Sequence, residues 1–279
     1  MKRISLLIAV LLIGQMLAAQ SIRVMTYNIR FDNPGDGVNQ WSNRKEKVVA
    51  LIKKYDPDLI GIQEALLHQL NDIISLAPEY DFYGVGRDDG KEKGEYSAVM
   101  YKKEKFELLD KNTMWLSETP KVPGSKSWDA AITRILTATT MKEKSSDLEF
   151  RFLNTHFDHV GKEARQYSAV YIKGAIAGMQ FKKELPVILT GDFNVQRDQP
   201  PYQMLTRNPG PELFDTKPAT DSTGTYCGFK VGAMPCTAID FIFHTKHWKV
   251  LSYEVIQDND GTHYPSDHLP VIAVLETGR

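Results

Sequence analysis

The sequence predicts an α/β protein in which two mixed β-sheets pack face to face with helices on the outside. Strand-like segments number about ten or more, against two to three helices. They do not alternate strictly with the helices, which argues against a doubly wound parallel sheet. No Ser/Gly/Pro-rich linker and no repeat of fixed period divides the chain, so residues 20–279 read as one domain. The composition is 42 % hydrophobic and 25 % charged over 279 residues, enough for one large core and unlike a disordered or fibrous chain.

The elements follow in order. "SIRVMTYN" (21–28) alternates and is rich in strand formers, ending near Asn28. "SNRKEKVVALIKKY" (42–55) has a capping candidate in Ser42 or Asn43 and an apolar face of Val48, Val49, Leu51 and Ile52, so it reads as a helix that Pro57 ends. "PDLIGIQE" (57–64) is a short apolar strand stopping at Gln63-Glu64, and 65–77 is helical. Strands are expected at 80–86, 96–101, 111–116, 133–141 and 148–157, with the polar, Gly-containing 87–95 as a surface loop. The longest helix is expected at 163–181. Strands at 185–194, 237–243, 249–256 and 269–276 complete the chain.

The first nineteen residues have a different character. A basic start (Lys2, Arg3), an apolar run from Ile4 to Ile13 and small residues at Ala18 and Ala19 make the layout of a secretory signal peptide, so residues 1–19 are expected to be removed and the protein to be periplasmic or secreted. A buried N-terminal helix is the alternative. The run is too short to span a bilayer comfortably, and no later segment is a membrane span. Losing Lys2 and Arg3 takes the formal charge from −1 to −3. A mildly acidic chain with no Lys/Arg run is a poor electrostatic magnet for duplex nucleic acid or anionic lipid. Cys227 and Cys236 are close in sequence, so in an exported protein they suit a disulfide, with two free thiols as the alternative.

The chemistry gathers at strand ends. Apolar runs stop at Asn28, Glu64, His156 and Asp192 with Asn194; Asp267-His268 precede the last strand, and Asp240 lies inside "TAIDFIF". Asp192 and Asn194 stand two apart, so both can point to one face. Each residue alone has a plain structural explanation: a turn former, a helix-starting acid or a satisfied core histidine. The ordered set, each member at a strand boundary, points to one rim bearing one pocket.

"MTYNIR", "GIQE", "LNTHFDH", "LTGDFN", "AIDFIF" and "YPSDHLPV" together resemble the endonuclease/exonuclease/phosphatase (DNase I-like) superfamily, over roughly residues 22 to 276. The resemblance implies a four-layer α/β sandwich and metal-dependent cleavage of phosphate esters by direct attack of water. It implies that Glu64 is the main ligand of Mg²⁺ or Mn²⁺, with Asn28 beside it and Asp267 as the candidate to complete the set; oxygen donors suit such hard cations. Asp192 would orient or deprotonate the water, and Asn194 would hold that acid or a phosphate oxygen. His268 would hydrogen-bond the phosphoryl oxygen. Asp240 would orient His268 or His156, and His156 would donate to the phosphate from the opposite side.

For substrate contacts the candidates are Arg30, Arg134, Trp128 and His159. Arg30 stands where some nucleases of the superfamily carry an acid, which counts against a second metal. Tyr96 beside Ser97 is near where the family often places a phosphate-contacting side chain. The long loops 86–99 and 115–135 set substrate choice on such a scaffold. The first reading is a phosphodiesterase or nuclease, exonuclease-like and working as a monomer. The alternative is the same chemistry on a small phosphorylated sugar, inositol or lipid head group. A nuclease calls for a basic stripe beside the pocket, and a small-molecule enzyme for a closed pocket walled by the 115–135 loop.

Overall fold

The computed structural model describes residues 21–207 and 209–277. The leader expected at 1–19 lies outside them. Twelve strands are β1 (Ser21–Asn28), β2 (Leu59–Ala65), β3 (Tyr80–Tyr83), β4 (Tyr96–Lys102), β5 (Phe106–Trp115), β6 (Ile135–Glu143), β7 (Glu149–His156), β8 (Val187–Asp192), β9 (Phe214–Asp215), β10 (Asp240–His244), β11 (Trp248–Val255) and β12 (Val271–Thr277). The helices are α1 (Trp41–Tyr55), α2 (Leu67–Leu76), α3 (Lys162–Lys182) and α4 (Pro200–Thr206). One sheet runs β11-β12-β1-β2-β4-β3 and the other β5-β6-β7-β8-β10-β9. Each contains one parallel pair, β1/β2 and β7/β8, among antiparallel ones, so both sheets are mixed as expected.

Three apolar layers make the four-layer sandwich. Met25, Ile60 and Ile62 pack outward against Val48, Ile52, Leu70 and Ile73 of α1 and α2. Val24, Leu59, Phe152, Ile188 and Ile242 fill the space between the sheets. Leu153, Leu189, Phe241 and Phe243 pack outward against Ile172 and Ile176 of α3. The central strands are therefore apolar on both faces, which is why they read as nearly unbroken hydrophobic runs. Among the described residues, no helix is long and apolar enough to cross a membrane.

Among the elements that escaped the sequence reading are α4 and β9. The helix α4 has only seven residues, with Pro200 and Pro201 at its start, where proline's missing N–H costs nothing. The strand β9 is a two-residue edge piece. The strand expected at 111–116 starts earlier, at Phe106, and its solvent-facing charges hide it.

Candidate active site

The alternation of a strand fixes which groups reach the site. On β7, β8 and β10 the residues facing the other sheet include Phe152, Ile188 and Ile242, so His156, Asp192 and Asp240 face the same way. Register then aligns them, because Asp192 is the cross-strand partner of both His156 and Asp240. Three functional side chains thus form one row across the second sheet. Opposite them, Asn28 ends β1 beside Gln63 of β2.

Glu64 breaks the alternation. Pairing of β2 with β4 slips between Gln63 and Ala65, and Glu64 takes a left-handed backbone with φ 65°. This bulge redirects a side chain that strict alternation would send to the α1/α2 face. Arg30 (φ 57°) and Asn194 (φ 49°) share that sparsely populated region, so three non-glycine residues at one site are held in unfavourable backbone. The buried Arg44 binds the backbone carbonyls of Ile29, Arg30 and Asn39 and so shapes the turn after β1.

The network is dense. Asn28 Nδ2 donates to Glu64 Oε1 at 2.9 Å and to Asp192 Oδ2 at 3.0 Å, while its oxygen accepts the Arg30 N–H at 3.0 Å. The amide nitrogen faces the acids in this arrangement, so Asn28 ties Glu64 to Asp192. His268 Nδ1 lies 2.9 Å from Asp240 Oδ2, so of the two histidines it is His268 that Asp240 contacts. The other ring nitrogen of His268 is 3.7 Å from Asp192 Oδ2. His156 Nε2 is 3.2 Å from the same Asp192 oxygen and 3.1 Å from Asn194 Nδ2. The Asn194 N–H donates to Asp192 Oδ1. Ser266, from the same motif as Asp267 and His268, donates to the Asn28 carbonyl.

Burial sets these groups apart electrostatically. It opposes ionisation of Asp192, but His156, His268 and the Asn194 N–H outweigh it and hold this carboxyl far below the usual range. Glu64 is likewise below its usual value, because the histidines, the Asn28 amide and Arg30 overcome burial. Burial lowers His156 and the nearby Arg134 cation lowers it further, against the pull of the Asp192 and Glu64 carboxylates. Burial would also lower His268, yet the Asp240 and Asp192 carboxylates raise it well above its ordinary value, making it an imidazolium. Burial pushes Asp240 up to about 6. It also raises Asp267, with Glu64 adding to the effect.

Glu64 and Asp192 each present a carboxylate oxygen within 4.8 Å of the other and of a His268 ring nitrogen, and the two carboxylates are the part of this cluster that suits a divalent cation. Two ionised carboxylates facing one another are the donors a hard cation needs. Asp267 lines the cavity but is not part of this group.

The cavity has a volume of about 370 Å³. Of the expected substrate contacts, Arg30, Arg134 and His159 line it and Trp128 does not. Trp128 stacks on Tyr167 of α3, with ring centroids 5.0 Å apart. It and Asp129, whose carboxylate accepts the Glu163 and Ala164 N–H groups, fasten the 116–134 loop to the start of α3. Arg30 is held bidentate by Asp36. Arg134 is buried; its Nη2 lies 3.3 Å from His159 Nδ1, and its Nε and Nη1 have no partner. Tyr96 is buried, its hydroxyl donating to the Lys91 carbonyl outside the cavity lining.

Sequence reasoning missed Glu95, Phe31, Ile132, Tyr226 and Ile239, which also line the cavity. Glu95 stands just before a strand, the same signal that marked Asp267. Tyr226 lies against His268, with rings 4.9 Å apart, and adjoins the Cys227–Cys236 disulfide. The Cys227 and Gly228 N–H groups both donate to the Asp267 carbonyl, so this stapled loop braces the motif that carries His268.

Comparison with known proteins agrees with the geometry. A solved endonuclease/exonuclease/phosphatase from Bacteroides vulgatus is 40 % identical, covers 93 % of this chain and 100 % of its own, and superposes with a TM-score of 0.84. A mannosyl-6-phosphatase of Bacteroides thetaiotaomicron is 37 % identical over 91 % of this chain and 99 % of its own, with a TM-score of 0.85. The CCR4-Not complex 3′-5′-exoribonuclease subunit Ccr4 of Mycosarcoma maydis is 21 % identical over 93 % of this chain, which spans about half (51 %) of that protein. The endonuclease/exonuclease/phosphatase family pattern matches residues 25–268, and the chain belongs to that family.

Proposed function

We propose that the protein hydrolyses phosphate esters of small polar molecules with Mg²⁺ or Mn²⁺, and that it works in the periplasm or outside the cell. The observation that carries the small-molecule reading is the state of the cations around the cavity. Arg30 is paired with Asp36, and Arg87, next along the rim, is held bidentate by Glu95. Arg134 is buried inside the cavity, so it suits one phosphate and not a backbone track. Polymer binding draws on several exposed Lys or Arg contacts to successive phosphates. The 37 % identity to a protein named as a phosphatase of a mannosyl 6-phosphate supports the same reading. The disulfide and the leader pattern support export.

The roles follow from the electrostatics. Glu64 and Asp192 would hold the cation, which when bound neutralises phosphoryl charge and stabilises the leaving oxygen. Asp192, kept far below neutrality, is a weak base, so it orients the attacking water more than it deprotonates it. The His268 imidazolium, fixed by Asp240, donates to the phosphoryl oxygen as charge builds. His156 and Asn194 position the opposite side, and Arg134 receives a non-bridging oxygen.

The test is Mg²⁺-dependent turnover by the mature chain of sugar and inositol phosphates, single-stranded DNA and RNA, with Glu64→Ala and His268→Ala as controls. Turnover of small esters, lost in both variants, is expected. Cleavage of polymers in preference to small esters would overturn the small-molecule reading. Activity surviving both substitutions would overturn the site.

A further inference from the structure

We infer that the Arg87–Glu95 ion pair closes one end of the cavity and restricts the enzyme to phosphate monoesters. The inference rests on the hydrolase reading above and adds the ester class and the residues that select it.

Two loops that the sequence shows only as polar connections form a single wall. The Trp115 indole N–H donates to the Arg87 carbonyl at 2.7 Å. A side chain on Gly90 would meet Pro123 and Trp115 at 3.1 Å, and one on Gly124 would meet the Asp88 carbonyl at 2.5 Å. Both glycines have positive φ, so the backbone of one loop lies directly against the other where a Cβ has no room. Within the first loop, the Arg87 and Asp88 N–H groups donate to the Glu95 and Lys93 carbonyls, so the wall is ordered on both sides.

Arg87 and Glu95 sit on the inner side of this wall. Both guanidinium-to-carboxylate distances are 2.8 Å, and both side chains are mostly buried, at 13 % and 16 % exposure. Glu95 lines the cavity beside Arg134. Behind Glu95, Arg134 and His156 the remaining space is about 10 Å³, bounded by Arg87 and Tyr96. That is room for roughly one water molecule.

A monoester phosphate has one carbon-bearing branch and otherwise only terminal oxygens. A diester carries a second branch that leaves the phosphorus in another direction. With Arg134 on a non-bridging oxygen and the leaving oxygen at the cation cluster, a second branch directed at the wall meets the Arg87–Glu95 pair. A terminal phosphate oxygen brings no carbon branch to that wall.

The test compares kcat/KM for p-nitrophenyl phosphate and bis(p-nitrophenyl) phosphate in the Mg²⁺-loaded full chain. Wild type is expected to prefer the monoester. The double variant Arg87→Ala/Glu95→Ala opens the wall, and its monoester-to-diester ratio should fall about 10- to 100-fold, the range that steric exclusion gives. Arg87→Met/Glu95→Gln keeps the bulk and should hold the ratio near wild type. In wild type, inorganic phosphate should compete at lower concentration than dimethyl phosphate, a readout that needs no variant to fold. Wild-type preference for the diester, stronger competition by dimethyl phosphate, or an unchanged ratio in a folded alanine variant overturns the inference while the hydrolase reading stands. No turnover of either ester, with none on the sugar and inositol phosphates, overturns both.

Discussion

Gly61 of β2 tests how the core holds the catalytic groups in place. A Cβ there would lie 2.0 Å from Thr190 Oγ1 and 2.6 Å from Asn154 Oδ1. Neither neighbour can withdraw freely. Asn154 donates to the Ile62 and Ala98 carbonyls and accepts from Gln63, and Thr190 donates to the Leu153 carbonyl; all are fully buried. Gly61→Ala therefore overpacks the layer between the sheets, at about 1–3 kcal/mol. It also disrupts one or two buried hydrogen bonds, at about 1 kcal/mol each. The stiffer unfolded chain returns under about 1 kcal/mol. A net loss of about 3 kcal/mol lowers the thermal midpoint by roughly 6–12 °C for a domain of this size. Differential scanning calorimetry of the metal-free protein reads this directly. Adding Thr190→Ala removes the nearest obstacle and should recover part of the loss, a non-additivity of about 0.5–3 kcal/mol. Activity should fall as well, because Glu64 is three residues along the same strand, and a displacement near 1 Å can cost about 100-fold. A midpoint within about 2 °C of wild type would refute the claim that the two sheets are locked here.

Three further outcomes follow. Asp240 is pushed up to about 6, so activity should decline as pH falls through that value, when its proton weakens its hold on His268; a pH–rate profile in which Asp240→Asn keeps the same acidic limb would assign that limb elsewhere. The stability linkage has its own sign. His268 is raised, so its contribution is full below about 6.5 and is lost as pH rises through its higher folded value. Asp240, raised as well, contributes fully below its ordinary value of about 3.9 and loses that by about 6, so Asp240→Asn should flatten both losses in a series of melts. The Cys227–Cys236 disulfide, with partners nine residues apart, should stabilise by about 3 kcal/mol in the loop-entropy model. Cys227→Ser/Cys236→Ser should also lower kcat, because the loop braces Asp267 and Tyr226; a lower melting point with unchanged kcat would confine the disulfide to stability.

Much of this architecture was legible because the candidate site residues terminate apolar runs. Asn28, His156 and Asp192 could be placed at one rim from periodicity, since the strands that carry them are apolar on both faces and change character abruptly. Which face each group took was less accessible. Asp240 pairs with His268 and not His156 because β10 runs beside β8 and brings residue 240 level with residue 192, a register that no local pattern encodes. Glu64 reaches the site only through a bulge with positive φ, and nothing in "GIQEA" announces a break in alternation.

The cations illustrate a different limit. Arg30, Arg87 and Arg134 look alike in sequence, three arginines in segments that connect strands. What separates them is whether each already has a partner: Asp36 is six residues from Arg30, Glu95 is eight from Arg87, and Arg134 leaves two nitrogens unpartnered in the interior. Both pairings are short-range contacts within loops whose shape comes from packing against distant chain, the 116–134 segment for one and the buried Arg44 for the other. A cation held by a carboxylate on both sides of its fork has little left for a ligand, and the one held by neither is the one that can respond to a phosphate. On the proposed small-molecule reading, substrate choice follows less from how many basic residues surround the cavity than from which of them the fold has left without a carboxylate partner.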